Sequence, residues 1–110
     1  MGGLDVIVSI QNAGKFPAIE TPQLYVAWPG RVAMRPKKSL RGFARVNLAP
    51  GESRRVNFRI EPIDLAWFDC ETHSWRIEKG IHGVIVGRSS RDLAALSAAI
   101  EFEMEVDLGV

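Results

Sequence analysis

The clearest structural signal in this sequence is the run Ile100-Glu101-Phe102-Glu103-Met104-Glu105-Val106-Asp107, in which apolar and acidic side chains alternate without a break. A period of two places alternate side chains on opposite faces of a β-strand, so the run predicts one continuous strand with a buried and a solvated face. The same alternation predicts strands at residues 5–11 and 55–60. This periodicity is typical of an all-β protein.

Five further segments favour strands, and turn signals separate them at the spacing typical of a two-sheet sandwich. The segments are 23–28, 42–48, 67–70, 74–78 and 81–86, the last with the apolar composition of a central strand. Residues 91–99 contain good helix formers but are expected to form a turn at most. About six or seven short strands would fit one antiparallel sandwich. It would span residues 1–110 as a single domain, with a long basic loop at 29–38 expected to be mobile.

The composition excludes several classes of partner. Lys and Arg total 14 against 13 Asp and Glu, so the chain lacks the basic footprint of a nucleic-acid-binding protein. No apolar run approaches the roughly 20 residues of a membrane helix. The single cysteine, Cys70, cannot form an intrachain disulfide, and its simplest interpretation is a small buried apolar side chain. We therefore predict no nucleic-acid partner and no membrane partner.

Groups suited to catalysis or metal binding are sparse. Asp64, Asp69 and Glu71 are the carboxylates clustered near aromatic residues, and each has a structural interpretation in a helix cap or a turn. His73 and His82 are nine residues apart and form no metal-ligand spacing with the cysteine. The sequence therefore predicts no catalytic residue, no metal site and no cofactor.

Aromatic side chains are the one feature with binding potential. Core or interdomain packing is the main interpretation for Tyr25, Trp28, Trp67 and Trp75. Stacking on a sugar is the alternative, with Trp28 expected to be the most exposed because Pro29 and Gly30 follow it. Basic residues of the neighbouring loop would then contact a glycan or another domain: Arg31, Arg35, Lys37 and Lys38.

Several short motifs follow one another in a characteristic order. They are Val6-x-Val8-x-Ile10-x-Asn12-x-Gly14, Gln23-Leu24-Tyr25-Val26, Leu40-x-Gly42-Phe43, Pro50-Gly51-Glu52, Asp64-Leu65-Ala66-Trp67, Trp75, Gly80 and Val86-Gly87-x-Ser89-Ser90-x-Asp92. Together they resemble the fibronectin type III-like domain at the C-terminus of many family 3 glycoside hydrolases, such as β-glucosidases and β-xylosidases. The resemblance covers nearly the whole chain.

This resemblance implies an immunoglobulin- or fibronectin III-like sandwich that carries no catalytic residue, because in such enzymes the nucleophile and the acid/base belong to other domains. The domain would be an accessory to carbohydrate hydrolysis that packs against the catalytic domains and supports them. The resemblance also implies structural turn or strand-end positions, with a hairpin turn at the first two: Asn12, Gly14, Gly42, Pro50, Gly51, Gly80, Gly87, Ser89, Ser90 and Asp92.

The resemblance also implies a further strand ahead of residues 5–11, and only four residues precede Asp5. One sheet is therefore expected to lack its first edge strand. An unpaired edge is a template for strand addition. We hypothesise that a symmetric homodimer partner, a swapped strand or a separate polypeptide occupies it. Elsewhere, Pro22 has no amide donor, so strand pairing should begin only after it.

Three functional interpretations stay open. The leading one is the accessory domain of a family 3 glycoside hydrolase. The second is a carbohydrate-binding module that uses Trp28 and the loop at 29–38. The third is a protein-interaction or oligomerisation module that uses the free edge or two oppositely charged strand faces, for which solvation is the simpler interpretation. The charged residues are Arg55 and Arg59 on one face and Glu101, Glu103, Glu105 and Asp107 on the other.

Overall fold

The computed structural model describes residues 2–29, 38–88 and 96–109. These residues form eleven strands, more than the six or seven expected, and one short helix, α1 (Pro62–Leu65). The prediction of an all-β fold is confirmed. The strands are β1 (Leu4–Gln11), β2 (Ala18–Glu20), β3 (Gln23–Ala27), β4 (Lys38–Phe43), β5 (Val46–Leu48), β6 (Ser53–Ile60), β7 (Trp67–Asp69), β8 (Ser74–Ile77), β9 (Gly80–Gly87), β10 (Leu96–Phe102) and β11 (Val106–Gly109).

Within the described residues, all strand pairs are antiparallel and form four sheets. The largest has the order β10-β9-β3-β4, and β9 pairs on both sides, which confirms the prediction of a central strand. Strand β1 pairs with β6, with Leu4 opposite Ile60 and Gln11 opposite Ser53. The smaller sheets are β11-β8-β7 and β2-β5. Strand β3 begins directly after Pro22, as expected.

The core lies between the β1–β6 pair and the four-stranded sheet. On β6, period-two alternation points Val56, Phe58 and Ile60 inward. They face the side of β3 that carries Leu24 and Val26, which are almost fully buried. The two layers approach closely at Gly42 of β4, where an added Cβ would lie 3.3 Å from Cδ1 of Phe58. The buried cluster consists of Leu24, Val26, Val46, Leu48, Val56, Phe58, Ile60, Leu65, Ala66, Ile77, Val84 and Val86.

Two predicted strands are each divided between two sheets. The alternating run at 100–107 is broken near the exposed Met104, so β10 pairs with β9 while β11 pairs with β8. The segment 42–48 likewise divides into β4, beside β3, and β5, beside β2. The prediction of single strands there is wrong, because alternation reports only which side a side chain faces and carries no information on the partner strand.

The turn predicted at 91–99 is also partly wrong. Strand β10 begins at Leu96 and pairs with Val86, so residues 96–99 are extended; residues 91–95 lie outside the described part of the chain. Backbone pairing with β9 satisfies the amides of this segment and overrides its helix propensity.

Asn12 and Gly14 form a turn, but not the hairpin turn that was predicted, because β1 pairs with β6 and β2 pairs with β5. The Asn12 side chain is buried and donates from Nδ2 to the carbonyl oxygens of Phe16 (2.8 Å) and Leu48 (3.1 Å). Its Oδ1 accepts the Gly14 amide at 2.9 Å. One amide side chain therefore binds three backbone groups, two in its own turn and one at the end of β5.

We expect Asn12→Ala to lower the free energy of unfolding by about 3 kcal/mol, because it removes three hydrogen bonds and leaves two carbonyl oxygens short of a donor. Urea unfolding followed by circular dichroism measures this difference. Asn47→Ala is the matched control, since Asn47 is exposed on β5 and should cost little. Equal losses in the two variants would contradict a special role for Asn12.

The predicted turn at Pro50-Gly51-Glu52 is present. The Glu52 amide donates to the Ala49 carbonyl at 3.0 Å, and Gly51 has a φ of 78°, which favours glycine. The Glu52 carboxylate accepts the Ala49 amide and pairs with Arg54, and both contacts lower the pKa of Glu52. Of the other predicted turn and strand-end positions, Gly80 and Gly87 begin and end β9, whereas Ser89, Ser90 and Asp92 lie outside the described residues.

Candidate functional site

The carboxylates nearest the aromatic residues have structural roles. Asp64 accepts the Glu61 amide at 2.8 Å, which closes a capping box at the start of α1, although the N-cap residue itself is Glu61. Asp69 accepts the Glu71 amide at 3.0 Å in the turn between β7 and β8. These contacts match the structural interpretation of both aspartates.

The histidines lie in different surroundings. His73 is exposed in the turn before β8, with a φ of 52°, whereas His82 is fully buried on β9 with its ring edge-on to Phe102 at 5.3 Å. Across residues 2–29, 38–88 and 96–109, no group of three or more His, Cys, Asp or Glu is placed to hold a metal ion. The same residues contain no helix of the length and apolar character that a bilayer span requires.

The prediction that Trp28 is the most exposed tryptophan is wrong. Trp28 is half-buried: its Nε1 donates to the Leu65 carbonyl at 3.1 Å, and the Arg41 guanidinium lies 5.4 Å from its ring centroid. These contacts occupy both the N–H group and one face of the indole ring. Trp75, at 37%, is more exposed, because it points away from the core on β8.

Around Trp75 the structure presents a small exposed aromatic pair. Phe68 on β7 lies opposite Trp75 and packs edge-on against it, with ring centroids 5.3 Å apart. Cys70 follows in the turn and is exposed, so the expectation of a buried cysteine is wrong. Cys70 lies two residues after Phe68, which points outward, so continued alternation also places its side chain on the exposed side of β7.

The outer face of the four-stranded sheet carries several exposed apolar side chains, and we call it the apolar sheet face. Its central row runs across the sheet from Leu40 on β4 through Tyr25 and Ile85 to Ser97 on β10. The next row contains Lys38, Ala27, Gly83 and Ala99, and the ends of the face are formed by Phe43 and Ile81.

The apolar sheet face leaves large apolar side chains in water. Phe43 is 69% exposed, Ile81 61% and Leu40 47%, whereas Tyr25 is buried between them. The Tyr25 hydroxyl donates to Gln23, and the ammonium group of Lys38 lies 5.5 Å from its ring centroid. Of the four basic residues singled out near Trp28, Lys38 is therefore placed at the edge of this face; Arg31, Arg35 and Lys37 lie outside the described residues.

The opposite outer face, on β1 and β6, is polar. It presents Asp5, Ser9 and Gln11 beside the outward residues of β6, and Ile7 is the apolar exception. Arg59 pairs with Asp5 at 3.3 Å and with Glu61 at 3.0 Å. The two outer faces of the sandwich thus differ in composition, since one carries mainly polar side chains and the other carries exposed large apolar ones. The outward residues of β6 are Ser53, Arg55, Asn57 and Arg59.

The acidic C-terminal residues do not form an unpaired charged face. Arg76 on β8 lies 3.6 Å from Glu105 and 3.4 Å from Asp107, so it connects β8 to β11 and to the bend before it. Two of the four acidic residues of the alternating run are therefore paired with a basic residue of the same chain. Glu101 lies at the edge of the apolar sheet face, on β10.

These features define an antiparallel immunoglobulin-like sandwich with one apolar outer face, and comparison with known proteins shows its family. The model of the fibronectin type III-like domain matches residues 20–90, which is well over half of the chain. The chain belongs to this family of fibronectin type III-like domains.

The relatives are β-glucosidases. The chain is 44% identical over 89 residues to the probable β-glucosidase N of Emericella nidulans, a match that covers 81% of this chain and 13% of the relative. The crystal structure of the GH3 β-glucosidase of Bifidobacterium adolescentis matches with a TM-score of 0.82 at 37% identity, covering 90% of this chain and 14% of that one. For β-glucosidase 3B of Thermotoga neapolitana in complex with α-D-glucose the TM-score is 0.87 at 31% identity, covering 99% and 15%.

The chain spans only 11% to 13% of the length of curated β-glucosidases to which it is similar. In these relatives the matching segment is therefore a small part of a much longer enzyme. The resemblance to the fibronectin type III-like domain of family 3 glycoside hydrolases is confirmed.

Sequence reasoning missed the apolar sheet face, although a signal for it was present. Residues 81–86 are apolar on both sides of the strand, since Val84 and Val86 point into the core while Ile81 and Ile85 point outward. A strand with two apolar faces is typical of a sheet that is covered on both sides.

Proposed function

We propose that this chain is a non-catalytic accessory domain of a β-glucosidase-like enzyme of family 3, and that its apolar sheet face packs against another domain of that enzyme. The observation that supports the proposal is the contrast between the two outer faces of the sandwich. One is polar, as expected beside water, and the other exposes Phe43, Leu40 and Ile81 around the small residues Ala27, Gly83 and Ala99.

The energetics favour covering this face. Burying a Leu, Ile or Phe side chain contributes about 1.5–3 kcal/mol, and contiguous exposed apolar patches mark interaction sites. The intervening residues Ala27, Gly83 and Ala99 have little or no side chain, so the sheet is flat enough for another element to approach closely. The face is thus suited to packing against a large, rigid neighbour.

The proposal includes the absence of hydrolysis by this chain. A glycoside hydrolase needs two carboxyl groups that face each other across a cleft. In this chain Asp64 and Asp69 are engaged by backbone amides in a cap and a turn, which supports structural roles for both. Residues 1–110 would act as one domain, and substrate chemistry would belong to the catalytic domains of the enzyme.

Sugar binding at Trp28 has less support. Stacking requires an open ring face, and the Arg41 guanidinium lies over this ring, while the Leu65 carbonyl occupies its N–H group. Titration of tryptophan fluorescence with β-glucans, xylans and their oligosaccharides tests this alternative, and we expect no saturable change.

The accessory role is tested by transplantation. The matching segment of the Bifidobacterium adolescentis β-glucosidase is replaced by this chain, and the chimaera is compared with a variant in which the segment is deleted. We expect the chimaera to retain hydrolysis of p-nitrophenyl β-glucoside and a cooperative thermal transition, and the deletion variant to lose both, because its docking surface is left exposed.

An unrelated β-sandwich of the same length, inserted at the same point, is the control for simple steric filling. The proposal would be refuted if the chimaera behaved like the deletion variant while this chain folded normally on its own. It would also be refuted if the isolated chain hydrolysed the glucoside.

A further inference from the structure

The outer surface of the β3–β4 pair continues along the chain onto β2 and β5. Gln23 lies opposite Phe43 in the β3–β4 pair, and Ala18 lies opposite Leu48 in the β2–β5 pair. The same number of residues separates these two pairs on both strands, so the register does not shift between them. The Ala44 amide joins the two pairs by donating to the carbonyl before β3 at 3.1 Å. An unchanged register keeps each side chain on its side of the sheet.

Alternation shows which residues of β2 and β5 share the outer surface. Phe43 points outward at the end of β4, so Arg45 and Asn47 also point outward, and both are exposed. On the partner strand Gln23 points outward, and so does Ile19, which is 54% exposed. The residues between them on β5 are buried, as the alternation requires. The apolar sheet face is therefore continuous with the outer surface of β2 and β5.

The far end of this surface is a shallow depression with a largely apolar lining. Its volume is about 490 Å³, and it lies over Pro17, Ile19 and Ala49. Phe16 is next to it and is 79% exposed, and the Phe16 carbonyl oxygen accepts the Asn12 side-chain amide at 2.8 Å. A large apolar side chain on a fixed backbone loses little freedom when a partner buries it. We call this surface the β2–β5 extension: Phe16, Pro17, Ile19, Asn47 and Ala49.

The β2–β5 extension lengthens the surface available to a neighbouring domain. From the row of Ile81 to the row of Ile19 the surface runs for about 33 Å, against about 20 Å for the four-stranded part alone. Interfaces that keep two domains permanently packed are large and apolar. A neighbour that covers Leu40 and Phe43 therefore gains further apolar burial if it also reaches Ile19.

We propose that the neighbouring domain that covers the apolar sheet face also covers the β2–β5 extension, and that it places a carboxylate opposite Arg45. This inference rests on the proposed function, because it concerns the same neighbour. Arg45 lies between the two parts of the surface, with Phe43 on one side and Ile19 on the other. Across residues 2–29, 38–88 and 96–109, no carboxylate of the chain is paired with its guanidinium.

The charge of Arg45 determines the chemistry of the neighbour. A domain that covers both Phe43 and Ile19 encloses the guanidinium between them, and an enclosed charge without a partner is costly. A carboxylate presents two acceptor oxygens in the geometry that fits a guanidinium, and it compensates the charge. The neighbour is therefore apolar where it meets Phe43 and Ile19, and acidic between them.

Thiol labelling tests how far the interface extends. Three variants carry one thiol each in a Cys70→Ser background: Ile19→Cys, Leu40→Cys and Asn57→Cys. The labelling rate of each is compared between the isolated chain and the Bifidobacterium adolescentis chimaera, and mass spectrometry of the labelled peptide separates it from thiols of the host. We expect Ile19→Cys and Leu40→Cys to react at least about tenfold more slowly in the chimaera, because burial removes access to the thiol. Asn57→Cys, on the polar face of β6, is the control and should react equally fast in both.

The labelling results separate this inference from the proposed function. Protection of Leu40→Cys without protection of Ile19→Cys would overturn the inference and leave the packing of the apolar sheet face in place. Protection of neither variant would overturn both. Equal slowing of Asn57→Cys would also overturn the inference, because the protection would then not be confined to one outer face.

Substitution of Arg45 tests the carboxylate. Arg45→Met keeps an unbranched apolar stem but leaves the carboxylate of the neighbour without its partner, so we expect Ile19→Cys in the chimaera to label at least about fivefold faster. Arg55→Met is the matched control, since Arg55 is exposed on the polar face of β6, and it should leave the rate unchanged. Circular dichroism of the isolated chain checks that both variants fold. An unchanged rate with Arg45→Met would show that no carboxylate faces Arg45 and would overturn that part of the proposal.

Discussion

The double substitution Leu40→Glu and Phe43→Glu is expected to leave the isolated chain folded and to destabilise a β-glucosidase chimaera that carries it. Both side chains are exposed in the isolated chain, so it loses little by the change. In the chimaera each would lose about 1.5–3 kcal/mol of apolar burial and add a charge that must be desolvated. We expect a total loss of about 4 kcal/mol or more, with soluble and active enzyme much reduced.

Ser53→Glu with Asn57→Glu is the matched control, since it adds the same two charges on the polar face of β6. Differential scanning calorimetry and specific activity of the purified chimaeras measure the difference. If the control pair lowered the unfolding midpoint as much as the test pair, the packing surface would not be the apolar sheet face. If Leu40→Glu with Phe43→Glu unfolded the isolated chain, the loss in the chimaera would come from misfolding of the domain and not from lost packing against the enzyme.

The second large effect is expected in the core. Phe58→Ala should lower the free energy of unfolding by about 3–5 kcal/mol, because it removes a buried ring between the two layers of the sandwich. The ring lies against Gly42, where the two layers approach closely, and Gly42 has no side chain to fill the space. That total is a large part of the stability of a small domain.

Urea unfolding followed by tryptophan fluorescence measures the loss at Phe58. The control is Phe43→Ala, in which the same atoms are removed from a ring that is 69% exposed, and its cost should be below about 1 kcal/mol. A small effect at Phe58 would show that the two layers are not held together at this position.

Much of the fold was predictable because its signals are local. The strands around Val6 and Val56 follow from side-chain alternation, and the strand around Val84 follows from its apolar composition. The start of β3 follows from the missing amide donor of Pro22. The Asp64 interaction in the capping box and the turn at Gly51 follow from side-chain chemistry and from the backbone conformation that glycine permits. Each involves residues a few positions apart.

The candidate site was less predictable. The exposure of a tryptophan or a cysteine depends on what packs against it, and for Trp28 this includes Leu65, 37 positions along the chain. The apolar sheet face needs residues of four strands in one surface, from Leu40 on β4 to Ser97 on β10. Only the two-sided apolar pattern of residues 81–86 indicated it.

The sequence by itself determined the all-β class, the positions of most strands, the main turns and, through the order of its motifs, the family. The tertiary structure decided which strands pair, where the alternating run at 100–107 divides between two sheets, and which outer face is apolar. The physical reason is that the local geometry of a strand decides which side each side chain faces. Which strands pair, and which side chains stay exposed, depends on contacts between segments that are distant in the sequence.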